Sequence, residues 1–225
     1  AVEPETLVVV DTPSGPMEAR ARVESGKASS VAIRAVPSFV FREKEDLEVP
    51  GLGRIQVDTV CVGGFFVMVR SDQIPHALDA SNSLTLVDLG MEIIKQANRQ
   101  LTVRHPVRPE VHTVDVVEFY EGPASNEDQG RSVVVYGERH MDRSPCGTGT
   151  AAKLTLLHHQ ARLPVGRPYV NRSPLGTAFE ASVAEETRVG ELPAVVVEIR
   201  GSAHITGVHS FVLDPEDPFP GGFLV

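Results

Sequence analysis

The chain has no tryptophan, only two cysteines, and aromatic residues amounting to 5% of the total. Two cysteines, Cys61 and Cys146, cannot build a disulfide framework, so the core must hold the fold and a reducing, cytoplasmic setting is expected. A basic excess is also lacking. The 30 acidic and 21 basic residues give a formal net charge of −9, which argues against a nucleic-acid surface. No apolar run approaches the ~20 residues of a membrane span. Residue 1 is alanine rather than methionine, and no basic segment or hydrophobic stretch of a secretory leader follows it. The numbering is therefore expected to start inside a longer or processed polypeptide. What is present is ordinary globular material, 41% hydrophobic and 23% charged. At ~150 residues per domain, 225 residues make one large domain or two small ones, enough to bury a core unaided.

The first seventy residues read as strands and turns. Residues 7–11 are β-branched, and Thr12-Pro13-Ser14-Gly15-Pro16 is a turn cluster. Residues 17–24 alternate, with Met17, Ala19, Ala21 and Val23 on one face and charged residues on the other. Ser25-Gly26-Lys27 returns the chain into residues 30–35 as a hairpin. Strands are expected at residues 55–60 and 65–69, with Gly63-Gly64 marking a bulge or a close backbone approach. The acidic run at residues 43–48 reads as a solvated loop. Leu86, Leu89, Ile93, Ala97 and Leu101 form one helical stripe, with Ser83 as its N-cap. Strands follow at 114–120 and 132–136, with a polar loop at 122–130 between them. A second helix is expected at 150–161, apolar most of the way round and hence central. Strands at 178–183, 194–200 and 203–213 complete the chain. This order predicts an α+β fold of antiparallel sheets wrapped around helices, not a doubly wound parallel sheet.

The chemistry concentrates in Asp142-Arg143-Ser144-Pro145-Cys146-Gly147-Thr148-Gly149-Thr150. A thiol sits at the first turn of a helix expected to be buried. The glycines leave backbone N–H groups approachable, and such a helix start accepts an anion. The same field favours thiolate and is expected to lower the cysteine pKa below about 8.5. Asp142 lies near enough to receive a substrate ammonium. A carboxylate cradle, a cation acceptor and a proton-transfer group together describe an amino-acid site. The plainer alternative is a small buried hydrophobe ahead of an ordinary helix start.

This segment resembles the second catalytic motif of the proline racemase family, which includes proline racemases, 4-hydroxyproline 2-epimerases and trans-3-hydroxyproline dehydratases. The resemblance extends to Val36-Pro37-Ser38-Phe39-Val40, Val49-Pro50-Gly51-Leu52-Gly53, and Val57-Asp58 followed by Gly63-Gly64. It continues in Gly201-Ser202-Ala203-His204-Ile205-Thr206-Gly207, Phe211-Val212-Leu213-Asp214-Pro215 and Gly222-Phe223-Leu224, so nearly the whole chain is covered in order. It implies two similar α+β halves of the diaminopimelate-epimerase type, each a sheet curled around a central helix, with a small imino acid between them. It also implies cofactor-free inversion of Cα by two cysteines on opposite faces. Cys146 matches the second of these cysteines. Gly147 and Thr148 match the backbone donors for the substrate carboxylate, Asp142 the residue near the substrate nitrogen, and Tyr136 an aromatic wall of the pocket. The dehydratases carry threonine where Cys146 stands, which favours racemisation or epimerisation here. Several hydroxyproline epimerases place a histidine where this chain has Val117 or Glu118, so hydroxyl recognition is unassigned.

The family's first catalytic cysteine lies in a Met-Cys-Gly-His type motif, and no Cys-Gly-His occurs here. The chain is therefore expected to correspond to the C-terminal two-thirds, roughly, of a full-length enzyme. Residues 1–200 would form the domain carrying Cys146, and 201–225 a return segment toward the N-terminal half. Such a piece exposes core surface and is expected to pair with itself as a homodimer or with the remaining piece. Cys61, in a strand with no helix start after it, reads as a structural hydrophobe. Of the eight histidines, His158 and His159 point to different helix faces, and His204 and His209 fall on opposite faces of a strand, so no metal site is expected. The alternatives to an imino-acid racemase are a trans-3-hydroxyproline dehydratase-like relative, a diaminopimelate-epimerase-like enzyme, a hydrolase in which Cys146 attacks an acyl group with His140 as base, and an amino-acid-binding module without turnover.

Overall fold

The structure is a computed structural model that describes residues 2–12, 15–122 and 128–222. β1 (Glu5–Thr12), β2 (Gly15–Glu24) and β3 (Lys27–Arg34) form an antiparallel meander. Ser25 and Gly26 turn β2 into β3, both at positive φ (52° and 73°), which matches the twist of the flanking strands. β4 (Phe39–Val49), β5 (Gly53–Val62) and β6 (Gly64–Arg70) form a second meander. α1 (Ser83–Gln100) crosses over to β7 (Val114–Tyr120), which lies parallel to β6. β8 (Gln129–Tyr136) and the short β9 (His140–Met141) lead into α2 (Gly147–His159). β10 (Tyr169–Arg172), β11 (Ala178–Val189) and β12 (Leu192–Gly201) end the regular structure.

The strands run in the order β1-β2-β3-β12-β11-β10-β8-β7-β6-β5-β4. Ser38, just before β4, exchanges both backbone hydrogen bonds with Val195 of β12 (2.9 and 2.8 Å). That contact closes β4 through β8 and β10 through β12 into a ring, and α2 runs inside it. Nine consecutive residues of α2, Gly149 to Leu157, are buried, as the all-round apolar sequence requires. The polar members are satisfied internally. Thr155 Oγ1 reaches Ala151 O at 2.7 Å and Ser38 Oγ at 2.8 Å.

α1 lies on the outer face of the β4–β8 segment, its Leu86, Ile93 and Ala97 stripe fully buried. Strand alternation thus divides the core in two. Ile55, Val57 and Cys61 of β5 face α1, whereas Val60 and Val62 face α2. The α+β class and the curling of sheet around helix match the expectation.

Several expectations need correction. The ring is not wholly antiparallel, since β6–β7 and β8–β10 are parallel pairs forced by the two helical crossovers. The acidic run is strand β4, with Leu47 and Val49 buried between exposed charges, because alternation outweighs charge density there. Gly63 (φ 74°) turns β5 into β6 rather than bulging a strand. Ser83 is the first residue of α1 and does not cap it. Asp79 caps the preceding 3-10 turn, Ala80–Asn82, by accepting from Ser81 N. β10 has no counterpart in the sequence reading. The strand expected at 203–213 is absent: residues 202–222 are neither strand nor helix and are mostly exposed, Ile205 to 93%. Pro13, Ser14, residues 123–127 of the polar loop, and Phe223 and Leu224 lie outside the described residues. No described helix is long and apolar enough to cross a membrane.

Gly90 is the point of closest approach between α1 and the sheet. A Cβ there would meet Val135 Cβ at 2.8 Å and Val117 Cγ1 at 3.0 Å. Gly90→Ala is expected to lower unfolding free energy by about 1–3 kcal/mol, as overpacking does, despite alanine's better helix propensity. Urea denaturation checks this, and an unchanged midpoint would show that α1 can lift off the sheet without cost.

Candidate active site

The ring of strands leaves the N-terminus of α2 at one end, and the Asp142–Gly149 segment is folded around it. Cys146 is the N-cap residue, at φ 59° and ψ 122°. A side chain at positive φ is strained, and three contacts hold it there. Cys146 N donates to Ser144 Oγ (3.0 Å), and Ser144 N donates to Asp142 Oδ1 (2.8 Å), so Asp142, Ser144 and Cys146 form one hydrogen-bonded turn. Cys146 Sγ accepts from Gly149 N (3.3 Å), as a capping group does. Pro145 O accepts from Thr150 Oγ1 (3.1 Å) and from Asn171 Nδ2 (3.2 Å).

Asn171, fully buried on β10, is the hub of this arrangement. Its amide also donates to Thr150 Oγ1 (2.9 Å), and its Oδ1 accepts from Ser132 Oγ (3.1 Å) and Lys153 Nζ (3.3 Å). One side chain thus ties β8, β10 and α2 to the turn that carries the thiol. The Lys153 ammonium, also fully buried, donates to Arg131 O (3.2 Å) and lies 5.2 Å from the centre of the Tyr169 ring.

Gly147 and Thr148, read from the sequence as anion donors, are the first two residues of α2. The first N–H groups of a helix have no intrahelical partner. Those of Gly149 and Thr150 are used by Cys146 Sγ and Cys146 O. Among the described residues, the Gly147 and Thr148 N–H groups have no acceptor, and a Cβ at Gly147 would meet nothing within 4 Å. Thr148 Oγ1 lies 3.5 Å from Cys146 Sγ. The structure therefore brings Asp142, Cys146, Gly147 and Thr148 together. Tyr136, at the end of β8, is 41% exposed with its ring 5.8 Å from that of His140. By alternation it shares the sheet face of Val134, whose Cγ2 lies against Gly149. The His140 ring thus lies tilted at 35° against Tyr136, while the hydrogen bonds of the thiol go to Thr148 and Gly149.

The electrostatics depart from the sequence reading in one respect. Burial pushes the Cys146 thiol up from 9.0 to about 12. The Thr148 and Gly149 hydrogen bonds pull it down, and the Glu118 and Asp142 carboxyls push it further up. With Cys146 only 8% exposed, desolvation outweighs the helix-start field that was expected to lower it. Cys61 is likewise pushed to about 12 by burial. It lies in the core facing α1, on the opposite side of the sheet from Cys146, so the two thiols cannot act on one carbon.

Sequence reasoning missed Asn171 and Lys153, and it assigned no role to Thr150 or Glu118. Lys153 among Ala151, Ala152 and Leu154, and Glu118 between Val117 and Phe119, are marked as charges inside apolar runs, whereas Asn171 and Thr150 carry no such signal. Of Val117 and Glu118, Val117 faces the core under α1, and Glu118 faces α2 with 0% exposure. Burial pushes the Glu118 carboxyl up from 4.5 to about 8, and neither of its oxygens has a hydrogen-bond partner. Ser132 and Lys153 pull the other way, but the Ser132 hydroxyl proton is committed to Asn171 Oδ1. His158 and His159 reach different partners, Glu186 Oε1 and Glu43 Oε2, both at 3.1 Å. No group of three His, Cys, Asp or Glu that could hold a metal occurs among the described residues.

The raised Glu118 pKa has a sign for stability. Between its unfolded value near 4.5 and its folded value near 8, the unfolded chain loses this proton and the folded chain keeps it. Folding therefore weakens as pH rises through that window. Glu118→Gln is expected to flatten the decline between about pH 4.5 and 8 and to leave the behaviour below pH 4.5 unchanged. Thermal unfolding as a function of pH checks this, and parallel curves for the two proteins would contradict it.

Comparison with known proteins agrees with this geometry. A profile of the family described as proline racemase matches residues 1–224. The chain is similar to the proline racemase of Clostridioides difficile, 40% identical over 225 residues, covering 100% of this chain and 67% of that protein. It is similar to the 4-hydroxyproline 2-epimerase of Streptosporangium roseum, 38% identical over 224 residues with the same coverage of both. The crystal structure of a hydroxyproline epimerase from Agrobacterium vitis with bound trans-4-OH-L-proline matches with a TM-score of 0.89 at 32% identity, covering 100% of this chain and 64% of that one. The chain spans about two thirds of the length of these relatives. With almost every residue matched and the same fold, the chain belongs to the proline racemase family.

Proposed function

We propose that this chain carries the Cys146 half of a cofactor-independent racemase or epimerase that inverts the Cα of 4-hydroxyproline or proline. The observation behind this reading is the start of α2, where a capping thiol, two open backbone N–H groups and the Asp142 carboxylate converge within one turn of helix. The Gly147 and Thr148 N–H groups, at the positive end of the helix, donate to the substrate carboxylate. Asp142 receives the ring ammonium. Those two anchors set Cα over Cys146 Sγ. The thiolate takes the α-proton: the C–H bond breaks, the S–H bond forms, and the electron pair moves into the carboxylate that the helix start already holds. A second acid/base group then delivers a proton to the opposite face.

The step needs the thiolate, which the Thr148 and Gly149 hydrogen bonds favour and burial opposes. A cytoplasmic, reducing setting would keep it from oxidation. The bound trans-4-OH-L-proline in the Agrobacterium vitis epimerase supports a hydroxyproline substrate. Glu118 is too buried to meet a 4-hydroxyl and Val117 faces away, so discrimination of the hydroxyl lies elsewhere.

Cys61 is on the wrong side of the sheet, so this chain supplies one base. A single base on one face returns a solvent-exchanged proton to the side it came from. Proton NMR in D₂O with each enantiomer of proline and of 4-hydroxyproline tests this. The chain alone is expected to exchange Cα–H with retention in one configuration of each pair, and Cys146→Ser is expected to abolish exchange. Inversion by the chain alone would overturn the single-base reading. If calorimetry detected no binding of proline, 4-hydroxyproline or pyrrole-2-carboxylate, a planar mimic of the flattened intermediate, the substrate reading would fail.

A further inference from the structure

Glu118 is a carboxyl group that neither the fold nor the proposed chemistry accounts for. It sits on β7, faces inward, and is fully buried with both oxygens lacking a hydrogen-bond partner. A buried, unpartnered carboxyl is costly and calls for an explanation. Its position supplies one. A Cβ at Gly149 would lie 3.1 Å from Glu118 Oε2 and 3.2 Å from Cys146 Cβ, so the carboxyl sits beneath the first turn of α2 with the thiol on the same turn.

The groups around this pair come from every element that packs on it. α2 contributes Lys153, which is held by Arg131 O and Asn171 Oδ1, together with Thr148 and Gly149 at the thiol. β8 contributes Ser132, whose proton goes to Asn171. The turn before α2 contributes Asp142. β7 contributes Tyr120, pushed above its ordinary range chiefly by burial and so neutral throughout. Glu118 is thus a buried carboxyl beneath the helix start, close to the thiol and with no donor to hold its charge, and burial raises its pKa accordingly.

We propose that Glu118 is a positioning residue that sets the charge felt by Cys146 through the α2 N-terminus: as the neutral acid it leaves the thiolate the full field of the helix start, and as the carboxylate it opposes the thiolate. Glu118 exchanges only its own O–H proton and forms no bond to sulfur or carbon. The proton it carries is the only variable. The proposal rests on the reading of Cys146 as the acid/base group, but its test uses no substrate. Failure of turnover and failure of this inference are therefore separable.

The experiment is the rate of Cys146 alkylation by iodoacetamide as a function of pH, read by peptide mass spectrometry so that Cys61 does not contribute. In the unmodified chain, log rate is expected to rise with unit slope below the Glu118 titration. It then flattens as the carboxylate forms near pH 8 and resumes above it. In Glu118→Gln the bend is expected to disappear. The rate ratio of variant to parent should be near one below about pH 6.5 and climb to roughly three- to tenfold by about pH 9.5, the effect of one nearby charge on a thiol. Glu118→Asp, which keeps the titrating group, should keep a bend. A ratio above one that is constant across pH would mean that the variant merely loosens packing around the thiol, and it would overturn the proposal. Should Glu118→Gln not fold, the parent chain decides alone: a straight line of unit slope through pH 8 overturns the proposal.

Discussion

The enclosure of α2 by the ring of strands is the constraint on which the rest of the structure depends. A helix buried on all sides has nowhere to send the unpaired N–H and C=O groups of its ends except to the protein around it. At the N-terminus this demand produces the site. Cys146 is bent into a positive-φ conformation so that its sulfur caps Gly149 N. Asn171 reaches from β10 to hold Pro145 O, and Ser144 and Asp142 close the preceding turn. The two N–H groups left over are the ones that open outward. The two open N–H groups are thus what remains after the protein has satisfied the other donors at the helix start.

The same burial governs the charges. In water the helix field would favour a thiolate. Inside the ring, loss of hydration costs the anion more than the field returns, so the thiol is held protonated and its conjugate base is strong. Lys153 and Glu118 sit in the same enclosed space with opposite fates. Lys153 is held by a carbonyl, an amide oxygen and an aromatic face, whereas Glu118 has no donor and takes up a proton instead. That asymmetry makes the carboxyl the adjustable element of the site.

Closure of the ring also explains the separation of the two cysteines. Alternation along β5 sends Cys61 outward to α1 and Val60 inward to α2, a direct consequence of the period of a strand. The interior behind the thiol is filled by Val134, Glu118 and the body of α2, whereas a Cβ at Gly147 would meet nothing within 4 Å, so the approach to Cys146 is from the Gly147 side.

Much of this was determined by local sequence. The alternation of residues 17–24, the helical stripe from Leu86 to Ala97 and the all-round apolar run after Thr150 each state their own structure, because periodicity records which faces are buried. The Cys-Gly-Thr-Gly helix start was legible as a candidate site, since a thiol, glycines and a helix start are adjacent in the chain. Other features were decided only by the tertiary structure, because they depend on residues far apart in sequence. The acidic run became a strand through pairing with β5, and β10 exists because β8 and β11 flank it. Asn171 meets Pro145 across 26 positions, and Glu118 lies under Gly149 across the sheet. The direction of the Cys146 shift is of this second kind. The sequence by itself supplies the helix-start field, but only the closed ring of strands supplies the desolvation that overrides it.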